Sequence, residues 1–366
     1  MQNVAHTAVH KSLQVKPGDK IYIYSIGCSN LVDEIIQKVQ EVGATVYLNE
    51  YSISNWKTLV QFSTARTYRG LLKKELRFLQ EMDGFIGLTM DENLYELEDF
   101  SAESIKIYYK YFYEPLLLTA QTLSKWLLLH PPSSALSQLS CQSLDQLNQV
   151  FVDAVGLLEH SSYQPLFKKM MDMIRDTDQV HILTPSTDLL FSIKGIPPSM
   201  CMGTHNLPGG EVFTAPIPSS VNGYITFNIP FHSFGVAFET IQLFYSNGSL
   251  DHYVTSDDNR FKQILQSDSG ASTFGEFGIG LNPFIVRPVY TSAYDEKMAG
   301  TIHLALGQSY ESSYNGNDST VHMDLVLSLL KGDGGGCLFF DEELIIKDGK
   351  IVHSHLRSLV PLINKR

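Results

Sequence analysis

Cysteine is scarce in this chain. Cys28, Cys141, Cys201 and Cys337 are four among 366 residues, far apart and without a C-x-x-C pair. Such spacing supports neither a zinc knuckle nor a disulfide framework, and reduced thiols in a cytoplasmic protein are the simplest reading. Long apolar runs are missing too. "FYEPLLLTAQTLSKWLLLH" is broken by polar residues and a proline, short of the roughly 18 apolar residues that a membrane helix needs. The start, "MQNVAHTAVHKSLQVKPGDK", has neither the basic end nor the apolar core of a signal peptide. Positive charge is also in deficit, with 27 Lys and Arg against 39 Asp and Glu, a net −12. A surface of that sign repels phosphate backbones, so no nucleic acid is expected as a partner.

Several catalytic motifs are absent as well. No H-E-x-x-H removes the usual zincin pattern, and no G-x-S-x-G removes the nucleophile elbow. The glycines 334–336 are not followed by the Lys-Ser/Thr of a phosphate loop, and "YSIGCSN" lacks the dinucleotide glycine pattern. A nucleotide-binding role for the leading domain is therefore a minor reading.

What is present begins with 43% hydrophobic and 18% charged residues, enough to build real cores. The first third alternates strand-like and helix-like runs. "KIYIYSIG", "ATVYLNEYSI" and "GFIGLTM" are separated by "NLVDEIIQKVQEVG" and "LLKKELRFLQEMD". That alternation predicts βαβ units and a mostly parallel sheet. "LLHPPSSALSQLSCQSLDQL" is the strongest punctuation in the chain. After about residue 178 short β-rich runs divided by Gly, Pro, Asn and Asp take over, among them "QVHILT", "YITFNIPF", "GVAFETIQLFY", "HLALG" and "GCLFF". We expect an α/β N-terminal domain over 1–177 and an α+β domain over 178–366.

Chemistry-bearing residues gather in the second half. Glu211 follows a glycine pair in "NLPGGEVFTAP", and Glu276 stands between Gly275 and Gly278 in "FGEFGIGLNP". "YDEKMAGTIHLALGQSY" holds Glu296, His303 and Tyr310. "STVHMDL" puts His322 and Asp324 two apart, hence on one face of a strand. Each cluster alone fits a solvated turn or a hydrogen-bonded pair at a sheet rim. Together they suit divalent metal. Carboxylates in excess offset two dications and bridge them about 3.5–4 Å apart, and mixed O/N donors without thiolate suit zinc, cobalt or manganese. "IVHSHL" repeats the i, i+2 histidine spacing at His353 and His355 without acidic company, which predicts a plain strand edge, and "TPSTDL" reads as a turn.

The ordered set Asn206–Pro216, Gly275–Pro283, the Asp-Glu…His-Leu-Ala-Leu-Gly stretch and His322-Met-Asp324 resembles the aminopeptidase T (thermophilic, AmpS-like) metallo-aminopeptidase family. The resemblance extends upstream to "TPSTDL" and "VKPGDKIYIY". It implies that the domain over 178–366 is an α+β metal-binding catalytic domain, and that the chain forms a homodimer that hydrolyses residues from peptides with a free N-terminus, using two divalent ions (Zn, Co, Mn or Mg). It also implies Glu211, Glu276, Glu296, His303, His322 and Asp324 as ligands, with Glu276 or Glu296 handling the proton and Tyr310 close to the reaction centre. The chain departs from the family at one point: Glu296 lies seven positions before His303, farther than the family's acidic residue, and Lys297 stands where the family has asparagine. A catalytically silent metal-binding or regulatory protein of the same fold is the alternative.

Overall fold

A computed structural model of the chain describes residues 1–90, 93, 95–97, 100–233, 236–356 and 359. Two compact units are present. One comprises Met1–Glu159 with Gly203–Gly209, the other His160–Met202 with Gly210–Arg366.

The first unit is α/β. Its five-stranded sheet runs in the order Thr45–Tyr51, Lys20–Ile26, Gly84–Thr89, Trp126–Leu129, Asn206–Leu207, with every neighbouring pair parallel. The interior strand Lys20–Ile26 buries every residue but the first, as a strand covered on both faces must. The helix Ser29–Glu41 that follows ends on Gly43, whose φ of +85° is the left-handed turn that glycine supplies without strain. Ser52, Thr64 and Ser101 each cap a helix by accepting the N–H of a residue three positions on. One core cluster is rich in rings, including Tyr24, Tyr68, Phe85, Tyr108 and Phe112.

The serine-rich run after Pro131 and Pro132 lies inside this unit. Ser133 caps the helix Ser134–Leu139, and Ser143 forms a capping box with Gln146 at the start of Leu144–Val155. Those serines are helix starts, which explains a composition that resembles a linker.

Two larger antiparallel sheets make up the second unit. One has eight strands, in the order Ser249–Thr255, Ile241–Ser246, Asn222–Phe227, Thr187–Ser192, Gln179–Thr184, Cys337–Phe340, Glu343–Lys347, Lys350–Ile351. The other has five: His322–Ser328, Thr301–Gly307, Phe274–Gly280, Glu211–Thr214, Ser199–Cys201. Ring contacts join the two, with Phe191 edge-on to Phe277 at 5.2 Å and Tyr245 4.8 Å from Phe274. "TPST" is the expected turn, joining Gln179–Thr184 to Thr187–Ser192. "IVHSHL" differs from expectation. The strand stops at Ile351, and the His353 imidazole turns back 2.8 Å from the Glu343 carboxylate, a partner that its sequence neighbours do not reveal. No helix among the described residues is long and apolar enough to cross a membrane.

Candidate metal centre

The five-stranded sheet separates its side chains cleanly. Residues directly opposed on antiparallel strands share a face, as do residues two apart. Glu276 opposes Ala305, which opposes Asp324; Gly278 opposes His303; Gly307 opposes His322; Gly280 opposes Glu211. Glu211, Glu276, His303, His322 and Asp324 therefore rise from one face, with glycine or alanine at four positions between them. The opposite face carries Val212, Phe277, Ile279, Ile302, Leu304, Leu306, Met323, Leu325 and Leu327, all buried. A register shift between Phe274 and Glu276 marks a bulge at Gly275. It puts Phe274 on the apolar face and Glu276 on the polar one, although i and i+2 would otherwise share a face. Glycine suits that place, since a Cβ on Gly275 would sit 2.2 Å from the Gly307 carbonyl oxygen.

Glu276 is the hub. Its Oε1 lies 3.2 Å from His303 Nε2 and its Oε2 lies 3.5 Å from His322 Nε2. Glu211 Oε2 is 3.6 Å from the same His303 nitrogen, and Asp324 Oδ1 is 3.2 Å from His322 Nε2. Two donor groups result, Glu211–Glu276–His303 and Glu276–His322–Asp324, each with donor atoms within 4.8 Å of one another. Glu276 belongs to both. The other nitrogen of His322, Nδ1, lies 2.9 Å from the Gln308 carbonyl oxygen, and its N–H donates there. That bond turns Nε2 toward the carboxylates, the arrangement common in metal-binding histidines.

The electrostatics of this face call for positive charge. Burial works against a charge on His303, yet the carboxylates of Glu276, Glu211 and Glu296 outweigh it and raise its pKa to about 9. Burial opposes charge on His322 as well, but Asp324 and Glu276 push it up to about 10. Burial favours a neutral Asp324, while His322 and His303 hold its carboxyl well below the usual carboxylate range. Burial raises Glu276. The donors present suit a divalent ion: they are oxygen and nitrogen, and Glu211 Oε2 and Glu296 Oε2 are buried with no hydrogen-bond partner.

Two expected residues stand apart from the donor groups. Glu296 follows the short helix Ser292–Asp295, and its Oε1 is in close contact with the Lys297 ammonium. Lys297 also reaches to 3.5 Å from Glu211 Oε1. Burial lifts Glu296 well above the usual carboxylate range, only partly countered by Lys297. Tyr310 lies edge-on to the His322 ring at 5.0 Å and 5.5 Å from Phe213. Tyr310 is 44% exposed as a residue, and desolvation together with the carboxylates of Glu276, Asp324, Glu296 and Glu211 keeps its pKa well above 10. The sequence marked Lys297 as a departure but not as a partner of two carboxylates. It marked Gly278 as a flank of Glu276 but not as the place where the His303 imidazole packs against a bare Cα.

A family model described as "Thermophilic metalloprotease (M29)" matches residues 1–350. Aminopeptidase 2 of Geobacillus stearothermophilus is 29% identical over 167 residues, 40% of this chain and 37% of that one. Aminopeptidase T of Thermus aquaticus is 27% identical over 150 residues, 36% of each chain. The matched stretch thus spans little more than a third of these relatives. In shape, wild-type AmpT from Thermus thermophilus superimposes with a TM-score of 0.76 at 18% identity, over 96% of this chain and 98% of that one. A 2,5-dihydroxypyridine dioxygenase from Pseudomonas putida KT2440 superimposes with a TM-score of 0.64 at 15% identity, over 96% of each chain. One fold thus serves proteins named for different chemistries, so the side chains must decide between them.

Proposed function

This chain belongs to the thermophilic metalloprotease family M29, and from that footing we propose that it is a metal-dependent aminopeptidase with a dinuclear centre. The observation that carries the reading is the double engagement of Glu276, whose two oxygens face two different histidines in two donor groups. Glu211, Glu276 and His303 would hold one ion, and Glu276, His322 and Asp324 the other. When bound, such ions polarise a carbonyl and make water a nucleophile near neutral pH.

The chain's own residues supply the rest. Both oxygens of Glu276 are engaged, so Glu296, with an unpartnered Oε2, is the better placed to take the proton of the attacking water. A C–O bond forms at the scissile carbonyl carbon, the C–N bond breaks, and Glu296 passes the proton to the leaving amine. Tyr310 stays protonated well past neutral pH, so its hydroxyl can donate to the developing oxyanion. The free α-amine of a substrate would anchor at an ion or a carboxylate of this site, which would restrict cleavage to the amino end. The homodimer implied by the resemblance and the cytoplasmic setting read from the cysteines belong to the same proposal.

The test is trimming of a mixed peptide pool read by mass spectrometry, first with chelated protein and then with zinc, cobalt, manganese or magnesium restored. Metal-dependent loss of single N-terminal residues, abolished by Glu276→Gln, is the expected outcome. Full activity of Glu276→Gln would refute the assignment. One observation favours a second reading, a metal-binding protein without turnover: Glu296 is tied to Lys297 and belongs to neither donor group. Stoichiometric metal uptake without cleavage of any free-amino peptide would establish it.

A further inference from the structure

Lys297 is a lysine only 3% exposed, set against acidic residues. Its ammonium contacts Glu296 Oε1 and lies 3.5 Å from Glu211 Oε1. The second oxygen of each carboxylate, Glu211 Oε2 and Glu296 Oε2, is buried without a hydrogen-bond partner. One cation therefore divides two carboxylates in the same manner, holding one oxygen and leaving the other to be presented. The presented oxygen of Glu211 is the one that faces His303, at 3.6 Å. Nothing about this pairing is needed for packing alone, since a buried ion pair seldom outperforms apolar residues of similar volume.

We infer that Lys297 is a resident counter-cation of the metal centre, holding Glu211 and Glu296 in single-oxygen presentation before a metal arrives and opposing the charge of the ion that binds. The inference rests on the proposed metal centre and deepens it. Without Lys297, two buried carboxylates would face each other uncompensated, a costly arrangement. With it, an arriving dication meets a positive charge already in contact with Glu211, and like charges at such range repel strongly where little water screens them. Lys297 thus sets a balance. The metal-free protein is kept folded and its donors kept in place, and the affinity for the ion is lowered. It is a positioning residue, acting through Glu211 and Glu296.

The experiment compares wild type with Lys297→Met, which keeps the length of the side chain and removes the charge. Zinc affinity is read by competition with a chromophoric chelator, and melting is read for metal-free and zinc-loaded protein. The metal-free variant should melt lower than wild type, bind zinc about tenfold more tightly or better, and show a larger zinc-induced rise in melting temperature. A merely structural lysine would lower both melting temperatures equally and leave zinc affinity unchanged or weaker, which would overturn the inference. If Lys297→Met does not fold, the same comparison is made between Glu296→Gln and Glu296→Gln/Lys297→Met, where one carboxylate fewer is left unpaired. Tighter zinc binding on removal of the lysine supports the inference there, and unchanged binding overturns it. A wild-type protein that takes up no zinc at all would be a different failure, that of the metal centre itself.

Discussion

Gly278→Ala isolates the placement of His303. The glycine lies in the extended strand Phe274–Gly280, opposite His303, with a backbone that alanine can also adopt. An added Cβ would meet His303 at 2.1 Å from Cε1, 2.3 Å from Nε2 and 3.0 Å from Nδ1. Carbon contacts settle at about 3.5–4.0 Å, so the imidazole must retreat by more than about 1 Å. His303 is fully buried. Overpacking of this kind costs about 1–3 kcal/mol, and each kcal/mol lowers the melting temperature by about 2–4 °C for a unit of this size. A displacement near 1 Å at a reacting centre costs about 10²-fold in rate. The variant should therefore melt several degrees lower, carry less than the wild-type complement of metal by plasma mass spectrometry, and release N-terminal residues about a hundred times more slowly. Reduced melting with metal content and rate intact would mean that His303 serves packing only. The two-group centre would then be wrong.

Two further substitutions probe what surrounds the site. Asp268 accepts bonds from the Thr320 N–H and hydroxyl at 2.7 Å each, from Ser319 Oγ at 2.8 Å and from the Gly270 N–H at 3.0 Å, so it straps down the chain entering the strand that carries His322. Burial alone would raise its pKa, but these donors outweigh it and hold the carboxyl below its ordinary value. A depressed folded-state pKa gives stability that is present above the unfolded value and lost as pH falls through the folded one. Asp268→Asn should therefore cost about 1.5–3 kcal/mol near pH 7 and show a shallower loss of stability on acidification, both read by urea unfolding; an identical acid slope would refute the strap. Gly70 lies on the exposed side of the helix Ala65–Leu79, with nothing within 4 Å of an added Cβ. Gly70→Ala should stabilise the chain by about 0.5–1 kcal/mol without altering metal content or rate, and destabilisation in the same assay would mean that this face is covered in solution.

How far the sequence could be read depended on the range of the interactions involved. Strands of the first unit are legible because burial on both faces makes "KIYIYSI" and "GFIGLT" continuous apolar runs, and helix ends are legible because capping is local. His322 and Asp324 are legible as a pair since alternation in a strand is a rule of two residues. The Gly275 bulge is not. It depends on two carbonyl oxygens, those of Gly307 and Gln308, that approach from the neighbouring strand's end. The Lys297 pairing has the same character, for Glu211 is far away in sequence and meets the lysine only when the sheet forms. The serine run after Pro132 misleads for the opposite reason. Helix caps and linkers draw on the same residues, and only the hydrogen bonds separate them.

A sheet face that buries three carboxylates and two imidazoles from four strands is costly to close unless something holds the strands together, and here the alternation of the same strands does so. Candidates in the sheet have apolar strand neighbours turned the other way: Phe277 beside Glu276, Ile302 and Leu304 beside His303, Met323 and Leu325 beside Asp324. Each such side chain contributes about 1.5–3 kcal/mol by leaving water, and each fixes the backbone position of the polar neighbour that points away from it. Opposed side chains in such a sheet start only about 4.5–5.5 Å apart, so carboxylates and imidazoles at every position would collide. Gly278, Gly280, Ala305 and Gly307 remove that crowding on the polar face. Pre-organisation of the centre is thus built from both faces at once, large apolar residues on one to hold the strands and small ones on the other to leave room for the donors.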